Sequence, residues 1–320
     1  MKRPFALPLV PFYAAGVWLR AAGLLTGLEP VRGLSWPVIS VGNLSVGGTG
    51  KTPFTIALAK LLVSEGLEVD VLSRGYGRQG RGVALVDAEG NSEQFGDEPL
   101  LIARETGVPV FVGTRRWQAG RQAESVATSA GIHLLDDGFQ HRQLARDVDI
   151  VIVNSEDLGD CLLPAGNLRE GLGALRRATV LAVPAGDDGA MEAVRGLGLK
   201  QPAWRFRREM RVPSLTGPVV AFCGIARPEQ FFAGLESGGL DVVARHRFED
   251  HWRFDLRDVE LLRALVRKSG ADALVTTAKD RIRLRALEGE LGVQVHTVGL
   301  QVELDDEPGV VAWLKARLGL

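Results

Sequence analysis

Three glycines, a lysine and a threonine near the N-terminus have the spacing of a phosphate-binding loop. Gly47, Gly48 and Gly50 follow a β-branched run and lead through Lys51 and Thr52 into an apolar, helix-like stretch. This order predicts a strand, a loop and a helix, with the backbone N–H groups of the loop at the positive end of the helix dipole. A polyphosphate binds favourably there, so the stretch predicts a nucleoside triphosphate site.

The residue types in this loop suggest how ATP would be held. Lys51 is expected to reach the β- and γ-phosphates, and the Thr52 hydroxyl to hold Mg²⁺. The generic pattern G-x-x-x-x-G-K-[ST] begins with glycine where this chain has Ser45. A glycine-rich loop without a ligand is the alternative, but the Lys-Thr pair and the strand-to-helix context favour ATP. The predicted ATP-contacting residues are Ser45, Val46, Gly47, Gly48, Thr49, Gly50, Lys51 and Thr52.

Two carboxylates, Asp136 and Asp137, end an apolar run and precede Gly138. Downstream of a phosphate loop, this is where a carboxylate that binds Mg²⁺, directly or through water, is expected. A turn that ends a strand is the structural alternative. The upstream loop favours the metal site, and the pattern leaves open which carboxylate contacts the ion.

Other ionisable residues are suited to phosphoryl transfer but have structural explanations as well. Asp97 stands before Glu98 at a helix start and could serve as a base for a hydroxyl nucleophile, although the pattern alone favours a helix cap. His251 follows two acidic residues and could orient a base or belong to a cap. Arg169 could grip phosphate or form a surface salt bridge.

Alternating strands and helices would position these residues. Continuous apolar runs indicate strands, as in a parallel sheet covered on both faces, and the runs are Glu68–Leu72, Pro109–Val112, Ile132–Leu135, Asp149–Val153 and Thr179–Val183. Helical patterns lie near Pro99–Glu105, Arg115–Thr128 and Leu168–Arg176. The predicted fold is a doubly wound, mostly parallel α/β sheet of the P-loop NTPase type, with ligands beyond the carboxyl ends of its strands.

The composition loosens around Gly186–Gly198, and a polar, strand-like piece, Pro202–Val212, follows and is stopped by Pro213. A second alternating series begins beyond it. Its predicted strands are Val219–Phe222, Val242–Arg247, Ala273–Thr276 and Val293–Val298, and its predicted helices begin near Pro228, Leu256, Asp280 and Val310. We therefore predict an N-terminal segment over 1–32, a phosphate-loop domain over 33–200, a linker over 201–213 and a smaller α/β domain over 214–320. The smaller domain would close over the active site, and its last helix could return to the core.

Composition narrows the possible partners. The formal net charge is -1 over 320 residues, so no broad basic face for nucleic acid is expected. Cys161 and Cys223 lack metal-ligand spacing and predict small buried residues in a reducing compartment.

An apolar run from Phe5 to Leu19 near the N-terminus has several interpretations. A signal peptide is disfavoured because Pro8 and Pro11 break the run and an ATP-type loop follows. A helix over about 11–26 could lie in a membrane interface, with Lys2, Arg3 and Arg20 meeting anionic headgroups, or it could pack on the protein's own core. The segment alone favours neither of the last two.

Taken together, these segments resemble the tetraacyldisaccharide 4′-kinases of lipid A biosynthesis. The phosphate loop matches as V-G-N-L-S-V-G-G-T-G-K-T-P, and order and spacing agree over nearly the whole chain. The other matching segments are Ser73–Arg78, Gly96–Pro99, Leu135–His141, Pro164–Glu170, Gly224–Phe232, Phe248–His251 and Thr276–Asp280. The family also carries a hydroxyl residue at the position of Ser45.

The resemblance implies transfer of the γ-phosphate of ATP to the 4′-hydroxyl of a tetraacylated glucosamine disaccharide 1-phosphate, which yields lipid IVA. It implies Asp97 as the base, supported by His251 from the second domain. The other implied catalytic residues are Lys51, Asp137 and Arg169; Glu98, Gln140 and His141 join the nucleotide-binding set; and the metal set is Thr52, Asp136 and Asp137.

The resemblance also favours the interfacial helix, since the acyl chains of the substrate stay in the inner leaflet. We expect a monomer at the cytoplasmic face of the inner membrane, held there as a peripheral or a monotopic protein. One rival, a GTPase switch or metallochaperone, would need a guanine-reading N-K-x-D or T-K-x-D, and the lysine at 279 is adjacent to Asp280 instead. Another rival, a membrane-attached ATPase, predicts hydrolysis without a lipid acceptor.

Overall fold

The computed structural model describes residues 3–320. Its strands are β1 Val38–Asn43, β2 Val69–Ser73, β3 Ala84–Leu85, β4 Val110–Val112, β5 Ile132–Asp136, β6 Val148–Ile152, β7 Val180–Pro184, β8 Ala203–Arg211, β9 Val219–Cys223, β10 Val242–Arg247, β11 Ala273–Thr277 and β12 Gln294–Leu304. Its α-helices are α1 Val10–Leu25, α2 Lys51–Ser64, α3 Ser92–Phe95, α4 Asp97–Thr106, α5 Arg116–Val126, α6 Ser155–Leu158, α7 Asp188–Gly196, α8 Pro228–Ser237, α9 Leu256–Ser269, α10 Ala278–Leu284 and α11 Glu307–Leu318. Short 3₁₀ segments span Pro4–Leu9, Leu172–Arg177 and Arg285–Leu291.

The strands form one sheet in the order β10-β9-β11-β12-β8-β7-β6-β1-β5-β2-β4-β3. Pairing is parallel from β7 through β6, β1, β5 and β2 to β4, and again among β10, β9, β11 and β12. The predicted α/β class with a mostly parallel sheet is confirmed.

Alternate residues of the central strands face two different apolar layers. On β1, Ile39 and Val41 pack in the layer formed by α2, α4 and α11, while Val38 packs in the layer that contains α5. Covering both faces explains why these strands are continuous apolar runs. Because β1 and β5 are parallel, their carboxyl ends bring Asn43 and Asp136 to the same edge of the sheet.

The strand-like piece Pro202–Val212, which was predicted to lie in a linker, forms strand β8. Strand β8 pairs parallel with β7 and antiparallel with β12, so it joins the first lobe to the second within one sheet. Only Phe206 of this strand is fully buried, and its ring packs edge-on against Phe54 at 5.2 Å between centroids. The polar residues on its exposed positions are the reason that its sequence resembles a linker.

One predicted helix was wrong, and one helix forms where none was predicted. The stretch Leu168–Arg176 holds only the 3₁₀ segment, since Gly171 and Gly173 disfavour an α-helix there. Helix α7 forms within the stretch that was interpreted as loose, because Asp187 caps it by accepting a hydrogen bond from the backbone N–H of Ala190 at 3.0 Å. The last helix, α11, packs its Val310 and Leu314 in the same apolar cluster as Phe54 of α2.

The N-terminal helix exposes its apolar side chains instead of packing them on the core. Phe5 is 84% exposed, Phe12 76% and Trp18 68%. The stretch Pro4–Leu24 is long and apolar enough to cross a membrane, by length and composition only, and just 6% of its most apolar window is buried. The alternative of a helix packed on the protein's own core is therefore wrong; Lys2, expected to meet headgroups, lies outside the described residues.

Candidate active site

The phosphate loop lies at the carboxyl edge of the sheet and lines a cleft of about 1970 Å³ between the lobes. Gly47 and Gly50 adopt φ values of +110° and +87°, which favour glycine, and helix α2 begins at Lys51 directly after the second of them. The N-terminal end of α2 therefore meets the cleft, where its free N–H groups and dipole attract an anion.

Ser45 anchors the start of the loop through its hydroxyl. Its Oγ donates to Asp157 Oδ2 at 2.9 Å and accepts from Asn43 Nδ2 at 3.0 Å. Asn154 Nδ2 also donates to Asp157 Oδ2, at 3.1 Å. Glycine at this position would leave the buried Asp157 with fewer donors, so the departure from the generic pattern has a structural reason. No motif in the sequence pointed to Asn154 or Asp157.

The carboxylate of Asp137 contacts two cationic side chains of the cleft, Lys51 and Arg169. Arg169 donates to its two carboxylate oxygens at 3.0 and 2.8 Å, and Lys51 Nζ lies 3.7 Å from Oδ1. Arg169 also donates to Asn43 Oδ1 at 2.5 Å. Burial alone would raise the pKa of Asp137, but Lys51 and Arg169 outweigh it and lower the pKa to about 2. Asp137 is therefore an anion at neutral pH.

Asp136 lies deeper, and the residue is only 2% exposed. Its Oδ1 accepts a hydrogen bond from Thr55 Oγ1 at 3.1 Å. Burial raises the pKa of Asp136, and the nearby carboxylates of Glu98 and Asp137 raise it further. A buried carboxylate repelled by two others favours an added cation.

These residues fit a Mg²⁺ site of the kind completed by a nucleotide. No group of three or more His, Cys, Asp or Glu residues within residues 3–320 is arranged to hold a metal alone. Mg²⁺ commonly takes only one or two carboxylates and fills its other positions with phosphate oxygens and water. Asp136, Asp137 and the buried Thr52 hydroxyl in the first turn of α2 are a donor set of that kind.

Across the cleft, His251 of the second lobe contacts Asp97 of the first. Its Nδ1 lies 3.4 Å from Asp97 Oδ2, and its ring lies 5.8 Å from the ring of Tyr76. Burial would raise the pKa of Asp97, but His251 and Arg283 outweigh it and hold the pKa well below its usual range. The pKa of His251 is raised, chiefly by its hydrogen bond to Asp97. The pair is thus an ionised carboxylate beside a readily protonated imidazole.

Arg283 and Lys279 of α10 complete this part of the site. Arg283 donates to Asp97 Oδ2 through Nε at 3.0 Å and through Nη2. Lys279 Nζ donates to Glu98 Oε1 at 2.5 Å. The sequence analysis gave neither residue a role, although the matched segment Thr276–Asp280 contains Lys279 and was the available signal.

The structure brings most of the predicted residues into one cleft. Those that line it are Ser45, Val46, Gly47, Gly48, Gly50, Lys51, Glu98, Asp136, Asp137, Arg169 and His251. Thr49, Thr52 and Asp97 are buried beside it. Arg208 of β8, which the sequence analysis did not select, also lines it, and its Nη1 donates to the Thr49 carbonyl at 3.5 Å.

Gln140 and His141 support the site from behind. Gln140 Nε2 donates to the carbonyl of Asn43 at 2.9 Å, which fixes the end of β1. His141 is buried, and its pKa is lowered to about 3 by burial and by the arginines around it, Arg116 first. A neutral imidazole is therefore expected at this position.

Comparisons with known proteins agree with this arrangement. A family model described as tetraacyldisaccharide-1-P 4′-kinase matches residues 3–319. The tetraacyldisaccharide 4′-kinase of Koribacter versatilis is 44% identical over 310 residues, which cover 93% of this chain and 94% of the relative. That of Geobacter metallireducens is 38% identical and covers 92% of each chain.

A solved structure matches nearly the whole fold. The crystal structure of the "apo" form of LpxK from Aquifex aeolicus in complex with ATP superposes with a TM-score of 0.79 at 31% sequence identity. The match covers 99% of this chain and 100% of the other.

Proposed function

The chain belongs to the tetraacyldisaccharide-1-P 4′-kinase family, and we propose that it transfers the γ-phosphate of ATP to the 4′-hydroxyl of a tetraacyldisaccharide 1-phosphate, forming lipid IVA. The observation that carries this function is the position of the Asp97–His251 pair, which faces the same cleft as the phosphate loop. A kinase needs both a nucleotide site and a group that accepts the proton of the acceptor hydroxyl.

The nucleotide half is the loop over Ser45–Thr52 together with Glu98. Lys51 and Arg169 would stabilise the charge on the transferred phosphoryl group, because both already bind the anion Asp137 in the cleft. Thr52, Asp136 and Asp137 would hold Mg²⁺, which supplies neutralisation of phosphate charge. Gln140 and His141 would keep the loop after β5 in place from behind the site.

The acceptor half is the Asp97 carboxylate with His251. Asp97 would take the hydroxyl proton, and His251 would orient the carboxylate and stabilise its charge. The residues come from different lobes, so a catalytic pair exists only while the lobes are together. We therefore propose residues 33–200 as the nucleotide-binding lobe, 201–213 as the connection and 214–320 as the lobe that closes over the site.

A buried cation near the cleft suits an anionic acceptor. Arg116 is only 5% exposed, and its Nε has no hydrogen-bond partner among residues 3–320. Burial and the neighbouring Arg74 lower the pKa of Arg116 to about 10. Arginine with an unpaired, buried donor is a common phosphate ligand, and the acceptor carries a 1-phosphate.

Helix α1 is the proposed membrane contact. Its exposed aromatic side chains suit an interface, and Arg3 and Arg20 are placed to meet anionic headgroups. Tyr13 donates to the carbonyl of Arg169 at 3.1 Å, which ties this helix to a residue of the cleft. We propose a monomer bound peripherally at the cytoplasmic face of the inner membrane, where ATP is available and the acceptor's chains stay in the lipid.

The test uses the full chain with γ-labelled ATP, Mg²⁺ and the disaccharide 1-phosphate lipid in mixed micelles. Thin-layer chromatography should show labelled lipid, and omission of the acceptor should reduce ATP turnover to background. ATP hydrolysis that is equally fast without the acceptor, with no labelled lipid, would instead identify a membrane-attached ATPase.

A further inference from the structure

The segment Thr276–Asp280 has no role in the proposed reaction, yet it begins the helix that crosses to the first lobe. Helix α10 packs against α4. Its Lys279 and Arg283 are four residues apart and lie on one face of the helix. These two side chains bind consecutive carboxylates at the start of α4, Lys279 binding Glu98 and Arg283 binding Asp97.

Arg283 is itself held firmly. Its Nη1 donates to Asp280 Oδ1 at 3.0 Å and to the carbonyl of Gly224 at 3.1 Å. Asp280 Oδ2 accepts from the backbone N–H of Gly224 at 3.0 Å and from Thr277 Oγ1 at 2.7 Å. The Arg283 side chain is 6% exposed. The guanidinium is therefore fixed by its own lobe before it reaches Asp97.

The contact with Arg283 uses only one oxygen of Asp97. Nε and Nη2 of Arg283 both donate to Oδ2, and the His251 contact is also to Oδ2. Within residues 3–320, no side chain or backbone group hydrogen-bonds to Oδ1. A carboxylate held by one oxygen keeps its orientation and leaves the other oxygen for a further proton.

We propose that Arg283 is a positioning residue for the transfer reaction, holding Oδ2 of Asp97 so that Oδ1 accepts the proton of the acceptor hydroxyl. This rests on the proposed role of Asp97 as the base. In the step, the hydroxyl O–H bond breaks and a new O–H bond forms on Oδ1. The sugar oxygen bonds to the γ-phosphorus, and the bond from that phosphorus to its bridging oxygen breaks, so the electron pair leaves with ADP.

Arg283 and His251 differ in how they can donate a hydrogen bond to Oδ2 of Asp97. Arginine keeps its protons at working pH, so it only donates. His251 Nδ1 lies 3.2 Å from Arg283 Nη2 and 3.4 Å from Asp97 Oδ2, and it can donate to Asp97 only when it carries a proton. Arg283 therefore supplies the fixed contact and His251 the one that depends on protonation. The charged groups that face Asp97 are Glu98 on α4, Lys279, Asp280 and Arg283 on α10, and His251 on the loop before α9.

The experiment compares Arg283→Met, Arg283→Lys and Asp97→Asn with the wild type, and Arg285→Met is the matched control. Arg285 lies two residues farther along and also binds a carboxylate of the first lobe, Glu89, but at an exposed position away from Asp97. For each variant, kcat, KM for ATP and the pH dependence of kcat/KM are measured after a melting curve shows a folded chain.

Arg283→Met should lower kcat about 10- to 100-fold and leave KM for ATP within about 2-fold, because misplacing a reacting group by an ångström costs up to about 100-fold. Without the guanidinium the pKa of Asp97 rises. As the pH is lowered, kcat/KM of Arg283→Met should therefore begin to fall at a higher pH than kcat/KM of the wild type. Arg283→Lys should recover part of kcat, and Arg285→Met should resemble the wild type.

The outcomes separate the positioning role from the proposed function. Asp97→Asn could be inactive while Arg283→Met has the same kcat, and the same loss of kcat/KM at low pH, as Arg285→Met. That result would overturn the positioning role of Arg283 and leave Asp97 as the proposed base. If Asp97→Asn turns over normally, both are overturned. If Arg283→Met does not fold, the lysine variant decides: kcat equal to the wild type at every pH would overturn the positioning role.

Discussion

Replacing Asp97 by asparagine tests the base directly, because the amide keeps the shape of the side chain but cannot accept the proton. General bases contribute roughly 10²- to 10⁴-fold to rate. We therefore expect kcat to fall by about that factor, which is about 3–5 kcal/mol of transition-state stabilisation at about 1.4 kcal/mol per tenfold. KM for ATP should stay within about 2-fold, since Asp97 lies outside the phosphate loop.

The same substitution has a separate cost in stability that the structure bounds. The Arg283 side chain is 6% exposed, and in this variant it loses its ion pair with the Asp97 carboxylate. Breaking a fully buried ion pair costs about 3–5 kcal/mol. Arg283 keeps its contacts with Asp280 and the carbonyl of Gly224, so we expect a smaller loss of about 1–3 kcal/mol in the free energy of unfolding. Urea denaturation measures this loss, and assays below the transition keep it apart from the rate.

The assay is transfer of label from ATP to lipid, with Glu93→Gln as the matched control. Glu93 is also an acidic residue of the first lobe facing an arginine of the second, Arg253 at 3.8 Å, but both side chains are mostly exposed. The control should keep turnover within about 2-fold because exposed pairs contribute little. A folded Asp97→Asn variant within about 5-fold of the wild type in kcat would refute Asp97 as the base.

The other predictions concern the loop, the histidine and the membrane contact. Ser45→Ala leaves the buried Asp157 without one donor and should lower the free energy of unfolding by about 1–2 kcal/mol in urea denaturation; an unchanged midpoint would contradict the anchoring role. The folded-state pKa of His251 is raised, so its stabilising contribution is present below the unfolded pKa and lost as pH rises through the folded one. The stability difference between the wild type and His251→Gln should therefore shrink on going from pH 6 to pH 9, and a difference that grows would reverse the argument. Trp18→Ser should weaken binding to anionic vesicles on the order of 10-fold, measured by co-sedimentation. Leu256→Ser changes a comparably exposed apolar residue on the second lobe and should leave vesicle binding unchanged. Equal loss of binding in the two variants would exclude α1 as the membrane contact.

The sequence predicted the elements whose pattern is local. The glycines, Lys51 and the apolar runs located the phosphate loop between a strand and a helix, which are β1 and α2. Asp136 and Asp137 were placed correctly at the end of a strand, and they line the same cleft as the phosphate loop. These features follow from periodicity and turn chemistry, which short stretches of chain carry by themselves.

The features that the sequence did not predict depend on contacts between distant segments. Strand β8 was predicted as a strand-like piece within a linker, but its polar pattern does not show that it pairs with β7 on one side and β12 on the other. Arg283 lies 186 residues from Asp97 in the chain, and no local pattern links the two. The Ser45–Asp157 hydrogen bond spans 112 residues for the same reason. The order of the strands in the sheet brings such distant residues together, and the spacing of residues in the sequence does not reveal this order.

One carboxylate in the cleft, Asp137, pairs with two cationic side chains, and this pairing affects how ATP and Mg²⁺ bind. Lys51 and Arg169 both contact Asp137, so a phosphate that binds them must take the place of this carboxylate. Asp137 would then lie unpaired beside Asp136, which Glu98 also faces, and this group of carboxylates is unfavourable without a cation. The Asp137 carboxylate released from these two cations, together with Asp136, would then be available to Mg²⁺. ATP and Mg²⁺ should therefore bind cooperatively, since each removes the charge imbalance that the other creates. On the acceptor side Asp97 is paired with Arg283 and not with Lys51 or Arg169, so we expect the exchange of charges around Asp137 to leave the contact between Asp97 and Arg283 unchanged while the lobes are together.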